Sequence, residues 1–386
     1  MPAAGHTRPS SARRSRALMR PAVMAQVLFV VTILVLGYAL VQITQGNLDR
    51  LSVKSGYGFL AEKAPFELGE SLIPFSAGDT YLRAFVVGIL NTLKVAALGI
   101  VLSTVLGLLI ALGQLSPSVV VARVCRFYIE TARNVPLLMQ LIFWYALITA
   151  SLPRVKQALS PMPGVYLSNR GLNLPSLDMG GAGGAVALAL LAGMIAAIVL
   201  LMLRRRIAIS PWFIGAVSIL PALLTWAASG AVLSAQMPEL KGFNFRGGMA
   251  VSPEFLALLL GLTIYTAAFN AEVIRAGVLG VPKGQREAAT ALGLKPATTM
   301  RLVIIPQALR IIIPPMGNNY LNLTKESSLA VAIGYPEVVR VANITLAETS
   351  QSIECISIIM LVFLTISLTT SALLNWFNAR AALVSR

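Results

Sequence analysis

Apolar residues run almost without charge at eight places along the chain, about 24–43, 85–112, 134–152, 184–203, 208–229, 254–276, 310–334 and 353–377. A helix needs about 20 such residues to cross ~30 Å of hydrocarbon, so each run predicts a membrane-spanning helix. The seventh is the least regular, because Pro314, Pro315, Gly317, Asn318, Asn319, Asn322, Lys325 and Glu326 lie inside it. Residues 153–183 are rich in Pro and Gly and read as an outer loop. Two spans then follow, joined only by Leu203, Arg204, Arg205 and Arg206, and a second loop covers 234–253. Removing that pair, about 184–229, leaves the parity of crossings unchanged, so it reads as a hairpin inserted into a five-span core. The run at 24–43 is an extra first span behind a basic tail, residues 1–23. The QITQGNLDR that follows it has no small-x-small cleavage pattern, which predicts an uncleaved anchor. The expected fold is an all-α polytopic membrane protein.

Composition agrees and adds orientation. Of 386 residues, 56% are hydrophobic and 12% charged, about half the charged share of a soluble domain. Lys and Arg outnumber Asp and Glu 31 to 15, which raises the question of nucleic acid. The cations flank apolar runs instead of forming one patch, so no nucleic-acid partner is expected and lipid is the surrounding medium. With the N-terminus inside, the cytoplasmic side holds Arg8 to Arg20, Arg123, Arg126, Arg133, Arg204 to Arg206, Arg275, Lys283, Arg286, Lys295, Arg301, Arg310, Arg380 and Arg386. That is about twice the outer number, and it predicts both termini in the cytoplasm. Lys94 falls mid-span, where a long stem can snorkel. Cys125 and Cys355 are far apart and imply no disulfide framework. His6, the single histidine, builds no metal site alone.

One polar, basic stretch, 280–306, stands between two spans on the predicted cytoplasmic side. Pro282 suits a helix entry, Gln285 to Leu292 are good helix formers, and Gly293 suits a left-handed exit. Ala288, Ala291 and Leu292 share a face. A second helical stretch, 298–309, is expected to be interrupted by Pro306. Two short helices at a Gly-x-x-Pro corner form a knob that fits a partner's groove. The alternative is an amphipathic segment lying on lipid, for which a narrow alanine face is a poor anchor.

Glu287-Ala288-Ala289, Gly293 and Val303-Ile304-Ile305-Pro306 stand at the spacing of the EAA loop and resemble it. That loop marks the permease subunits of ATP-binding-cassette importers. Gly88 to Leu93, Tyr128 to Leu138, Tyr265 to Arg275 and Asn318 to Ala330 are similar to the polar amino acid subfamily, the histidine, glutamine and arginine type. The resemblance covers about 85–378, and the added first span and hairpin look like the longer Q-type permeases of general L-amino-acid transport systems. It implies the type I importer transmembrane fold in a bacterial inner membrane. Its implied partners are an ATPase dimer, a second permease subunit giving a heterodimer, with a homodimer as the alternative, and a periplasmic amino-acid-binding protein. ATP and magnesium would bind on the ATPase, and this chain would bind no cofactor. Glu287 would meet the ATPase surface, Ala288 and Ala289 would permit close packing, and Gly293 and Pro306 would shape the turn. Consistent with this, the chain has no Gly-x-x-x-x-Gly-Lys-Ser/Thr loop to cradle phosphates.

Polar groups in a bilayer are costly and tend to face a cavity or another helix. Asn318, Asn322, Lys325 and Glu326 fall on one side of a helix by three-and-four spacing, with Asn319 and Ser327 farther round. A cation, an anion and amides are the groups an α-amino acid's carboxylate and ammonium require. The competing reading is that Lys325 and Glu326 pair with a neighbouring subunit and the asparagines only join helices. A secondary, ion-coupled amino-acid transporter is the rival function. It calls for repeat symmetry and ion-binding carboxylates within spans, and neither is evident.

Overall fold

The structure, a computed structural model, describes residues 21–50, 56–178, 181–203, 210–230 and 234–381. Among the described residues twelve α-helices follow one another: α1 Pro21–Arg50, α2 Tyr81–Gln114, α3 Val119–Asn134, α4 Leu137–Ala146, α5 Gly183–Leu203, α6 Pro211–Ser229, α7 Pro253–Leu279, α8 Lys283–Ala291, α9 Pro296–Thr299, α10 Ile305–Glu326, α11 Val338–Thr349 and α12 Ser352–Ala381. The turn with Arg204, Arg205 and Arg206 and the tail with His6 lie outside the described residues.

Length and composition support part of the expected span count. Among the described residues five helical segments are long and apolar enough to cross a membrane: Tyr81–Gln114, Trp212–Ser229, Pro253–Leu279, Pro296–Ile333 and Ser352–Trp376. A sixth exists if α3 and the segment after it count as one span, but they meet at 101°. Pro136 causes the break. It pushes Val135 into an extended conformation (ψ 124°), so the loop expected to carry Arg123, Arg126 and Arg133 is instead a helix turned across the next one. The remaining apolar stretches, Met24–Leu40 and Gly183–Ala197, are shorter.

The all-α expectation also needs correcting. The two segments read as outer loops fold together into short strands, β1 Leu159–Met162, β2 Val165–Ser168, β3 Gly171–Leu174, β4 Ser176–Asp178, β5 Ser234–Gln236, β6 Glu239–Lys241, β7 Asn244–Arg246 and β8 Met249–Val251. One antiparallel sheet runs β1-β2-β3-β8, with β4-β5 and β6-β7 as two-stranded ribbons. Leu172 pairs with Val251 across the α5–α6 segment, so this sheet closes the stem of the hairpin. Within the hairpin, α5 and α6 pack on each other closely enough that a Cβ on Gly193 would sit 2.6 Å from the Ser218 carbonyl oxygen.

The centre is α2 against α7, flanked by α4 and α10. At Gly107 the backbones nearly touch: a Cβ there would lie 2.7 Å from Asn270 Cβ. Small residues permit such approaches where lipid supplies no hydrophobic drive between helices. One apolar cluster joins Val95, Leu141, Leu258, Leu262, Leu323 and Tyr335, and another joins Ala111, Ile129, Ala271, Ile304, Ala308 and Ile312. The second sits beside α8, and the first extends toward the sheet.

Residues 56–80 form a strap over the far ends of the helices. The Gly56 N–H donates to Glu354 Oε1 at 2.6 Å, and Asn91 Nδ2 donates to the Glu70 and Pro336 carbonyls, each at 2.9 Å. Lys94 does not snorkel. Its ammonium pairs with the Glu70 carboxylate and lies 4.1 Å from the centre of the Phe255 ring. Ser252, the N-cap of α7, donates its hydroxyl to the same carboxylate.

Candidate functional site

Two regions hold the predicted site residues, and one long helical run joins them. At Leu279 α7 ends, Val281 is buried, and Pro282 enters α8 in extended geometry (ψ 137°). The helix stops as the sequence expects. Gly293 lies at φ +71°, where a Cβ is disfavoured whatever the space. Its N–H bonds the Thr290 carbonyl at 2.9 Å and the Leu294 N–H bonds the Ala289 carbonyl at 3.1 Å, a Schellman closure that satisfies two end carbonyls. Lys295 is extended and Pro296 opens α9, completing the corner.

Pro306 behaves differently from expectation. The helical path does not stop there but passes from α9 through a π-helical stretch, Met300–Ile304, into α10. Proline lacks an N–H and crowds the carbonyl one turn back; the wider π turn just before it accommodates both, and Pro306 stands in the first turn of α10. Gln307 Nε2 then donates to Gln285 Oε1 at 3.1 Å and to the Val303 carbonyl at 3.0 Å, fastening α8 to the start of α10.

Of the residues assigned to the turn, Glu287, Ala288, Gly293 and Pro306 are exposed. Ala289 is not. At 3% exposure it faces its own chain, so it sets how α8 sits on the π stretch and offers no contact to a partner. Leu292, 80% exposed, is the large apolar group at the tip.

Between 12 and 20 residues beyond Pro306, roughly 18–30 Å at the α-helical rise, the polar residues of α10 divide. Asn322 and Glu326 line a small cavity of about 90 Å³ with Asn319, Tyr265, Thr266 and Phe269. Asn319, expected farther round, belongs to it, and donates to Asn270 Oδ1 at 3.0 Å. Asn318 is exposed and is not part of that lining. Lys325 turns the other way, into an apolar cavity of about 600 Å³ lined by Met360, Leu361, Phe363 and Leu364 of α12. The structure thus separates Lys325 from Glu326. Adjacent residues on a helix point about 100° apart, and the packing of α7 and α12 on either side of α10 assigns each its own neighbour.

A continuous helical path therefore links an exposed, tightly turned knob to a polar cavity inside the spans. Residues 103–382 match the family described as the binding-protein-dependent transport system inner membrane component. The chain belongs to this family.

Relatives in the family share nearly the whole length. The general L-amino acid transport system permease protein AapQ of Rhizobium johnstonii is 45% identical, over 89% of this chain and 88% of its own. The putative amino-acid ABC transporter permease protein YhdX of Escherichia coli is 44% identical, over 98% and 99%. The glutamate/glutamine/aspartate/asparagine transport system permease protein BztB of Rhodobacter capsulatus is 36% identical, over 88% of each chain. Among solved structures, an amino acid ABC transporter with histidines aligns with 78% of this chain and 95% of its own at 26% identity and a TM-score of 0.48.

As a permease of this family, the chain presents site residues that spacing did not single out. Tyr265 and Phe269 lie one turn apart on α7 and supply the aromatic wall of the cavity, with Thr266 beside them. Their signal was there, as two aromatics at i and i+4 in a span. The Arg133 guanidinium lies 4.9 Å from the Phe269 ring centre, and Glu272 pairs with Arg275 one turn further along α7. Gln114, Arg126, Glu130, Arg133, Glu272 and Arg275 line a charged cavity of about 560 Å³ near the end that carries α8.

Proposed function

We propose that this chain is the inner-membrane permease subunit of an ATP-driven importer of L-amino acids, with solute delivered by a periplasmic binding protein. It works with an ATPase dimer that holds ATP and magnesium, and with a second permease subunit. The family and the names of the full-length relatives support import by a binding-protein-dependent system over the ion-coupled alternative. In this reading the chain has the type I importer architecture, crosses the membrane eight times and keeps both termini in the cytoplasm. The α5–α6 hairpin is the insertion.

The observation that carries the mechanism is the unbroken connection at α8. Glu287, Ala288 and Leu292 present an exposed face, and the helix that bears them is fastened by Gln285–Gln307 to α10 and joined through Val281 to α7. When an ATPase cleft moves α8, the displacement passes to both helices. These two helices also form the cavity of Tyr265, Asn319, Asn322 and Glu326, so force and solute meet on the same pair. We assign Glu326 and the two asparagines to the solute path, and place Asn318 and Lys325 outside its centre. The test is Gly293→Asp: it forces a β-carbon and a charge onto the φ +71° corner. The variant complex should assemble and insert normally yet lose ATP-driven uptake; uptake at the wild-type rate would overturn the assignment.

A further inference from the structure

At the opposite end of α7 from α8, the β-strand unit carries a feature that neither coupling nor the intramembrane cavity uses. Arg154, Lys156 and Arg170 line a half-open cavity of about 970 Å³, together with Gln157, Asn169 and Phe243, and its lining holds no carboxylate. None of the three cations takes part in an ion pair among the described residues. The fold holds them in place. Val155 is buried between the first two, and the Asn169 N–H bonds the Pro153 carbonyl at 2.9 Å. Gly171, at φ +102°, lets β3 press against β8, where a Cβ would lie 2.1 Å from the Val251 carbonyl oxygen. Phe243 projects from the β6–β7 turn at 77% exposure, with Lys156 Nζ 4.8 Å from its ring centre.

We infer that this cationic cavity is the docking surface for an acidic face of the solute-binding protein. The inference rests on the importer reading above. Three pre-positioned cations around an exposed aromatic have the composition of an interface centre, where arginine and aromatics are enriched. The space exceeds what one amino acid fills, and the polar, open lining differs from the mostly apolar walls of a small-molecule pocket. Position agrees as well: α7 runs directly from β8 to α8, so a partner seated here lies across the membrane from the coupling knob. The family depends on a binding protein by description.

The experiment uses the assembled transporter in nanodiscs, titrated with the solute-loaded binding protein that supports its uptake, while ATP hydrolysis is followed at low and near-physiological ionic strength. The combined variant Arg154→Glu, Lys156→Glu and Arg170→Glu should raise the half-stimulating concentration of binding protein about tenfold or more. It should also remove the salt dependence, and high binding-protein concentration should restore stimulation. Arg154→Lys with Arg170→Lys should stay near wild type. An unchanged half-stimulating concentration in the reversed variant overturns the docking surface, even where the variant instead loses dependence on anionic lipid. Should the reversed variant fail to assemble, the wild type decides: a half-stimulating concentration that does not rise with salt overturns the proposal. A wild type that no solute-loaded binding protein stimulates removes the importer reading itself, a distinguishable failure.

Discussion

Asn319 of α10 donates its amide to Asn270 Oδ1 of α7 at 3.0 Å, and Asn270 in turn donates to Ser103 Oγ of α2 at 3.4 Å. Asn270 is fully buried, beside the close approach at Gly107. The pair therefore holds together the two helices that border the polar cavity. Interhelical hydrogen bonds in membranes contribute about 0.6–2 kcal/mol. Asn270→Ala should destabilise by about that amount or slightly more, and a double-mutant cycle with Asn319→Ala should show coupling of about 0.5–1.5 kcal/mol in thermal unfolding of the purified protein. Strict additivity would remove this bond from the account.

The strap makes a second claim. Lys94 and Glu70 are largely withdrawn from solvent, with side-chain exposures of 24% and 11%, and Ser252 shares the carboxylate. Removing one partner of such a pair strands the other charge. Lys94→Met should cost about 1–3 kcal/mol, less than a fully buried pair because both groups keep some water. Lys94→Met with Glu70→Gln should recover a good part of that loss. A double variant less stable than the single one would mean that the ion pair is not what the strap contributes.

For the solute path, the separation of neighbours on α10 matters more than their sequence proximity. Glu326→Gln and Tyr265→Ala should each raise the solute concentration for half-maximal uptake by about tenfold, the loss of one charge-assisted hydrogen bond or one ring contact. Lys325→Met should leave that concentration within about twofold, since Lys325 lines the apolar cavity toward α12. Equal sensitivity at 325 and 326 would contradict the geometry. The measurement is uptake kinetics at fixed ATP.

A pH effect follows from the cap of α11, outside the spans. Glu337 is completely buried and accepts from the Val339 N–H at 2.9 Å and the Arg340 N–H at 2.8 Å. Burial raises its pKa to about 7 from 4.5, against the lowering by those two N–H groups. An acid whose folded pKa is raised binds more protons folded than unfolded. Its contribution is therefore most favourable below about pH 4.5 and declines as pH rises toward about 7. The difference in melting temperature between wild type and Glu337→Gln should shift in favour of Glu337→Gln across that window. A constant difference would show that the carboxyl does not titrate there.

The turn at Gly293 was legible because each residue imposes a local conformation that no distant contact can alter. Glycine accepts a positive φ, and Pro296 starts a helix. The same reasoning failed at Pro306, where a π stretch five residues long absorbs the proline, and no residue type announces such a stretch. Ala289 shows a related limit: its spacing placed it in the motif, while its burial depends on where the π stretch packs. The β unit escaped because its strands are three or four residues long, too short for alternation to register against Pro and Gly. Lys94 was read by its side-chain length, and its partner Glu70 stands 24 residues away in a loop with no apolar signature.

The central claim is that ATP hydrolysis on a separate subunit, transmitted through α8, drives amino-acid uptake through this chain. Its most direct test is uptake of a radiolabelled polar amino acid into proteoliposomes holding the complete complex, with ATP enclosed and the binding protein outside. The account predicts accumulation that needs both and persists when every ion gradient is collapsed. Accumulation driven by an ion gradient in the absence of ATP and binding protein would contradict it.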